Sequence, residues 1–194
     1  MNKQPKVYII AGPNGSGKTT FASEFLPNYA DSPAFVNADT IARGLSGFSP
    51  DAVALKAGRL LLEQIETYAA KGMNFAFETT LSGTNYLSRL RTLQKRGYAV
   101  HIFFLWIPDV RLSLARVASR VKMGGHDLSE KVVRRRFHKG IGNFFKYYRT
   151  AADSWMLFDN SGTVPHLIAE EKAGKTGVFD QKLYDQILKL VEGS

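Results

Sequence analysis

Residues 7–20 read VYIIAGPNGSGKTT. An apolar run, Val7 to Ala11, is followed by Gly12, four further residues, and then Gly17, Lys18 and Thr19, the pattern G-x-x-x-x-G-K-[ST]. A strand-like run precedes it and a helical stretch follows it, which is the order the chemistry requires. A buried strand brings the chain to the end of a sheet, and a glycine-rich turn aims successive backbone N–H groups into one hollow. The N-terminus of the next helix then favours an anion in that hollow. On this reading Gly12, Pro13, Asn14, Gly15, Ser16, Gly17, Lys18, Thr19 and Thr20 cradle the phosphates of ATP. Lys18 reaches the outer phosphates, and the Thr19 hydroxyl is the metal ligand for Mg²⁺. The competing reading, a glycine-rich turn that matches by chance, does not explain the strand and helix on either side.

Working outward, apolar runs alternate with segments of helical periodicity. Strands are expected at 34–36, 73–77, 99–107 and 154–158, and helices at about 18–25, 50–71, 85–96, 109–122, 129–150 and 180–192. Pro27 is expected to end the first helix, and residues 41–49 read as a loop. Asp127 with Glu130 resembles a capping box for the helix from 129. Residues 167–171 and 177–179 read as a hairpin. The fold class is therefore α/β: a three-layer αβα P-loop NTPase domain over 1–194, with a mainly parallel five-stranded sheet plus a C-terminal hairpin.

Ligands of such sheets bind at the carboxyl ends of the strands. That places Asn37, Asp39 and Arg43, then Glu78, Thr79 and Thr80, then Asp109, and finally Asn160 beside the phosphate loop. Asp39 is the candidate catalytic base, because a carboxylate near the γ-phosphate can accept the proton of an attacking hydroxyl. Its alternative is the N-cap of a short helix at 40–43. Glu78 can face Mg²⁺ through water or hold a substrate hydroxyl, and its alternative is a turn carboxylate. Arg116 and Arg120 share one helix face. Arginine's planar fork matches phosphate oxygens, so Arg116 is assigned to ATP and Arg120 to catalysis beside Asp39 and Lys18. Gly124-Gly125 reads as the hinge of a mobile lid spanning about 116–136. That lid carries His126, and its later part offers one of Arg134, Arg135 and Arg136 to the site, with Arg134 the residue chosen. A solvated basic face and a loop hydrogen bond are the alternatives for these groups.

The net charge of +9 admits either nucleic acid or a site for several phosphates. Basic residues crowd 111–149, interleaved with Phe137, Phe144, Phe145, Tyr147 and Tyr148. Aromatics at helical spacing read as core, which disfavours nucleic acid as a partner. Cysteine is absent, so disulfides, thiolate chemistry and Cys-ligated zinc are excluded. No stretch approaches the length of a membrane span, and a cytoplasmic location is expected.

Several ordered blocks together, GPNGSGKTT, FVNADTIAR, FAFETTLSG, RVASRVKMGGHDLSEKVVRRRF and FDNSG, resemble the zeta-toxin-like P-loop kinases, especially their short bacterial relatives described as predicted ABC-type ATPases. The resemblance covers nearly the whole chain. It implies a kinase-type fold and transfer of the ATP γ-phosphate to a hydroxyl of a small molecule, of which the sugar nucleotide UDP-N-acetylglucosamine is the best-known in the family. It matches Asp39 to the catalytic base, Lys18 and Thr19 to the phosphate and Mg²⁺ residues, and Glu78 and Thr80 to the sugar-nucleotide block. Arg120 and one arginine of 134–136 fall in the region of the phosphate-clamping arginines, and an antitoxin protein is implied as partner. The chain departs from the plasmid-borne toxins in its shorter length and its Gly-Gly-His lid. The residues alone leave two other readings open: a nucleoside or polynucleotide kinase, and a nucleotide-dependent regulatory module.

Overall fold

The computed structural model describes residues 4–29, 34–45, 53–123 and 128–193. Its strands are β1 (Lys6–Ala11), β2 (Phe35–Val36), β3 (Phe75–Thr79), β4 (Ala99–Trp106), β5 (Ser154–Asp159), β6 (His166–Lys172) and β7 (Lys175–Val178). Its helices are α1 (Lys18–Tyr29), α2 (Ala38–Leu45), α3 (Ala54–Ala70), α4 (Tyr86–Lys95), α5 (Val110–Lys122), α6 (Glu130–Asn143), α7 (Arg149–Ala151) and α8 (Gln181–Glu192). A π-helical turn, Phe144–Tyr148, joins α6 to α7.

The strands form one sheet in the order β2-β3-β1-β4-β5-β6-β7. The first five are parallel, and β6 and β7 are added antiparallel. The expected hairpin is thus not an appendage: β6 pairs with β5 and extends the sheet to seven strands. Its turn, Ala173-Gly174, has both residues at positive φ, the geometry that matches the twist of a tight hairpin.

β1 and β4, in the middle of the sheet, are nearly all buried, as strands covered on both faces must be. On one face Val7, Ile9, Phe75, Phe77, Ile102 and Phe104 pack with side chains of α3, α4, α8 and the π turn. On the other, Tyr8, Ile10, Phe103 and Leu105 meet Phe21, Ala22 and Leu26 of α1. α5 packs against α6.

Four local expectations are corrected. α1 runs through Pro27 to Tyr29, because a proline near a helix end costs one intrahelical bond in a turn that is already ending. Residues 38–45, expected mostly as loop, are helical, and Asn37 supplies the cap. The long helix expected at 129–150 is interrupted by the π turn, which places Phe144, Phe145 and Tyr148 in the core together. Its N-cap is Ser129, while Asp127 lies outside the described residues.

Candidate functional site

The carboxyl ends of the parallel strands open into a cavity of about 440 Å³. Its floor is the phosphate loop. Gly12 sits at φ +144°, and a Cβ there would strike the Leu105 carbonyl oxygen of β4, so only glycine fits. Three side chains from elsewhere in the chain brace the loop. The Ser113 hydroxyl donates to the Asn14 carbonyl at 2.5 Å, and Asn160 Nδ2 donates to the Ser16 carbonyl at 2.6 Å. Arg116 donates to the carbonyls of Gly15 at 3.3 Å, Asn160 at 2.9 Å and Ser161 at 2.6 Å. Arg116 and Asn160 therefore shape the loop through its backbone.

Two buried polar atoms of the loop, Asn14 Oδ1 and Ser16 Oγ, lack a partner. Lys18 Nζ donates to the Pro13 carbonyl at 2.9 Å. Burial pushes the Lys18 ammonium pKa down, against the pull of the Glu78 and Asp39 carboxylates. A desolvated amine beside the unpartnered Ser16 hydroxyl, which can donate, suits an incoming polyanion.

Thr19 Oγ1 donates to Glu78 Oε2 at 2.8 Å, and Asn37 Nδ2 approaches Thr19 Oγ1 at 3.4 Å. Glu78 lies in register with Ile10 of β1, which is how its carboxylate reaches the hydroxyl. Hydroxyl, carboxylate and a neighbouring triphosphate form an oxygen-only set, and Mg²⁺ takes such ligands with few of them from protein. Among the described residues no group of three His, Cys, Asp or Glu could hold a metal by itself.

Asp39 opens the other wall. Asn37 Oδ1 accepts from the Asp39 N–H at 2.7 Å and the Thr40 N–H at 3.1 Å. Asn37 is thus the N-cap of α2, and the capping role considered for Asp39 falls to it. The Asp39 carboxylate, in the first turn, faces the cavity with Arg120 Nη1 at 3.5 Å. Both side chains are 38% exposed, so the pair contributes little to stability.

Of the cluster 134–136, the residue lining the cavity is Arg136. Arg134 pairs with Glu130 at 2.6 Å on the exposed side of α6, because the buried face of that helix is Val133, Phe137, Gly140 and Ile141. Arg136, three residues after Val133 and four before Gly140, sits at the edge of that face, a spacing readable in the sequence. Gly140 packs against the strand end so closely that a Cβ would come within 2.5 Å of the Thr80 carbonyl oxygen.

Thr79 and Thr80 line the cavity, but each hydroxyl has a local partner: Thr79 Oγ1 accepts from the Leu81 N–H at 3.2 Å, and Thr80 Oγ1 lies 3.0 Å from Ser82 Oγ. Tyr86 lines it too, stacked on Phe77 at 5.3 Å; nothing in the local sequence marks it. Arg43 is exposed and outside the cavity lining. Asp109 caps α5, accepting from the Arg111 N–H at 2.7 Å, and its carboxyl is held below the usual range by that arginine. His126, with Gly124 and Gly125 of the expected hinge, lies outside the described residues.

A family model described as Zeta toxin matches residues 1–184. A Haemophilus influenzae protein of undescribed function is 32% identical over 134 residues, 69% of this chain and 94% of its own length. The fold is shared with the AvrRxo1-ORF1:AvrRxo1-ORF2 complex crystallised with sulphate ions, at TM-score 0.75 and 20% identity over 96% of this chain. The match takes in 64% of that longer chain. It is shared also with the PezAT chromosomal toxin-antitoxin system of Streptococcus pneumoniae, at TM-score 0.68 and 15% identity over 99% of this chain and 86% of that one. A phosphate loop braced from three elements, a capped helix that carries Asp39 opposite it, and a family match over almost its full length lead to one conclusion: the chain belongs to the zeta-toxin family.

Proposed function

We propose that this protein is an ATP-dependent kinase that phosphorylates a hydroxyl of a small molecule, with a sugar nucleotide such as UDP-N-acetylglucosamine as acceptor. The observation that carries the reading is the position of Asp39: its carboxylate shares one cavity with Lys18, Thr19 and the arginines 120 and 136. In this scheme the acceptor hydroxyl gives its proton to Asp39 as its oxygen bonds to the γ-phosphorus. The bond from that phosphorus to the β–γ bridging oxygen breaks, and ADP leaves. Lys18, Arg120 and Arg136 offset charge on the transferring group, the main catalytic device in phosphoryl transfer. Thr19, with Glu78 behind it, would hold Mg²⁺, which when bound neutralises charge between the β- and γ-phosphates.

The acceptor wall is formed by Thr79, Thr80 and Tyr86 on one side and α2 on the other. An antitoxin partner is part of the proposal, supported by family membership and by a shared fold with chains from a toxin–antitoxin system and from an ORF1:ORF2 complex.

The test is mass spectrometry of protein with ATP, Mg²⁺ and UDP-N-acetylglucosamine, run beside Asp39→Asn. The expected product is heavier by one phosphoryl group. In the variant turnover falls by about 10²–10⁴-fold, with ATP affinity retained. Wild-type turnover in the variant would remove Asp39 as base. No product from the wild type with bound ATP would remove this acceptor.

A further inference from the structure

The charge of this protein is not spread over it. Residues 109–150 hold 11 of the 26 lysines and arginines but only three of the 17 acidic residues, a net +8 of the chain's +9. The other 152 residues carry 15 and 14, and are nearly neutral.

Part of that charge serves the cavity, through Arg116, Arg120 and Arg136. Another part faces away from it. Lys131, Arg135, Lys139 and Lys146 are all exposed. The first three are four residues apart, and at roughly 100° per residue they fall within one narrow sector of α6, with exposed His138 beside them. Lys146 continues the line beyond the helix, lying over the Tyr147 ring at 5.3 Å. None of the four makes an ion pair with a described residue, whereas Arg134 next to them is neutralised by Glu130.

The aromatics interleaved with these cations do not share the surface. Phe137, Phe144, Phe145 and Tyr148 are core, and of the set only Tyr147 is exposed. The face therefore offers a line of positive charge, with Lys131, Arg135 and Lys139 about 6 Å apart and Lys146 about 10 Å beyond, some 22 Å in all, and almost nothing to stack on bases. It also lacks the apolar centre that a protein interface carries: among the described residues no exposed large hydrophobic falls within 131–146, and Tyr147 only adjoins its end. A duplex carries one phosphate per 3.4 Å of axis on each strand, so a face of this length spans roughly six base pairs and meets several phosphates.

We infer that the outer face of α6 is a docking surface for the phosphate backbone of double-stranded nucleic acid, bound without sequence preference. The surface is separate from the catalytic cavity and does not depend on which acceptor is phosphorylated.

The test uses the full chain and fluorescein-labelled 20-base-pair duplexes, one of DNA and one of RNA, with anisotropy read from 50 to 300 mM salt. Binding is expected with log Kobs falling against log salt at a slope of about −3 or steeper. The triple variant Lys131→Gln, Lys139→Gln, Lys146→Gln should bind ATP as the wild type does while its slope flattens by about 2 to 3. The corresponding Lys→Arg triple should keep the slope. The two duplexes together tell DNA from RNA. Absence of binding to both at 50 mM salt, or an unchanged slope in the Gln variant, overturns the inference. So does displacement of the duplex by poly-glutamate at a lower charge concentration than by unlabelled duplex, which would make the face one for an acidic protein.

Discussion

Two strand ends face each other across the cavity, and they are held in opposite ways. The loop after β1 is fixed from outside itself: Leu105 stands under Gly12, Ser113 grips Asn14, Asn160 grips Ser16 and Arg116 grips Gly15. The segment after β2 is fixed by its own cap, Asn37, and by the packing of α2 on α3, with Ala42 the residue α2 buries. On the proposed function, the difference suits a protein that binds one invariant phosphate chain and a more particular acceptor. The donor wall is rigid because β4, α5 and the end of β5 all converge on it. The acceptor wall can change with one short helix.

The comparison breaks most severely at Gly12. Gly12→Ala drives a methyl into the β4 backbone and should cost about 3 kcal/mol or more, roughly 6–12 °C at this size, and abolish ATP binding. Calorimetry and nucleotide titration read both, and an unchanged midpoint would mean the loop is not clamped as described. Lys18 comes next. Lys18→Met should lower ATP affinity by about 100-fold, since the cation for the outer phosphates is gone. The nucleotide-free variant should nevertheless melt a few degrees higher, because a buried charge has been replaced by an apolar chain of similar size. The pH dependence carries the same sign. The folded-state pKa of Lys18 lies below its ordinary 10.5, so between those values the unfolded chain binds more protons and stability rises with pH. That rise should vanish in Lys18→Met.

The smallest effect belongs to the lightly held wall. Asn37→Ala removes a cap worth about 1 kcal/mol and should alter kcat and acceptor KM while ATP affinity stays within about twofold. Asn37→Ser, which restores an N-cap oxygen, should recover most of the loss. Equal damage to ATP affinity would show that the two walls are not mechanically separate.

What the sequence makes legible follows from how local the physics is. The phosphate loop reads directly because its chemistry lies in eight consecutive residues. The parallel sheet follows from alternation, whereas the pairing of β3 with β1, which brings Glu78 to Thr19, is set by tertiary packing. Asp39 is ambiguous in sequence because Asn37 and Asp39 can each cap a helix, and only the observed start of α2 assigns the cap. The choice among Arg134, Arg135 and Arg136 turns on helix rotation, set by Val133, Phe137 and Gly140 packing inward. Tyr86 was illegible because its approach depends on α4 folding back over Phe77.

The π turn at Phe144–Tyr148 has a consequence for how this chain can vary in length. One residue more than an α-helix would need is stored there, and it carries the aromatic side chains that fill the space beneath β4 and β5. Deleting a residue from the turn would rewind it to α-helix and rotate everything after it by about 100°. Tyr148 would leave its hydrogen bond to the Gly83 carbonyl, and β5 would enter the sheet out of step. Insertions and deletions drifting through a lineage should therefore accumulate in surface connections and spare these five positions, making the turn a fixed ruler against which homologous chains can be aligned.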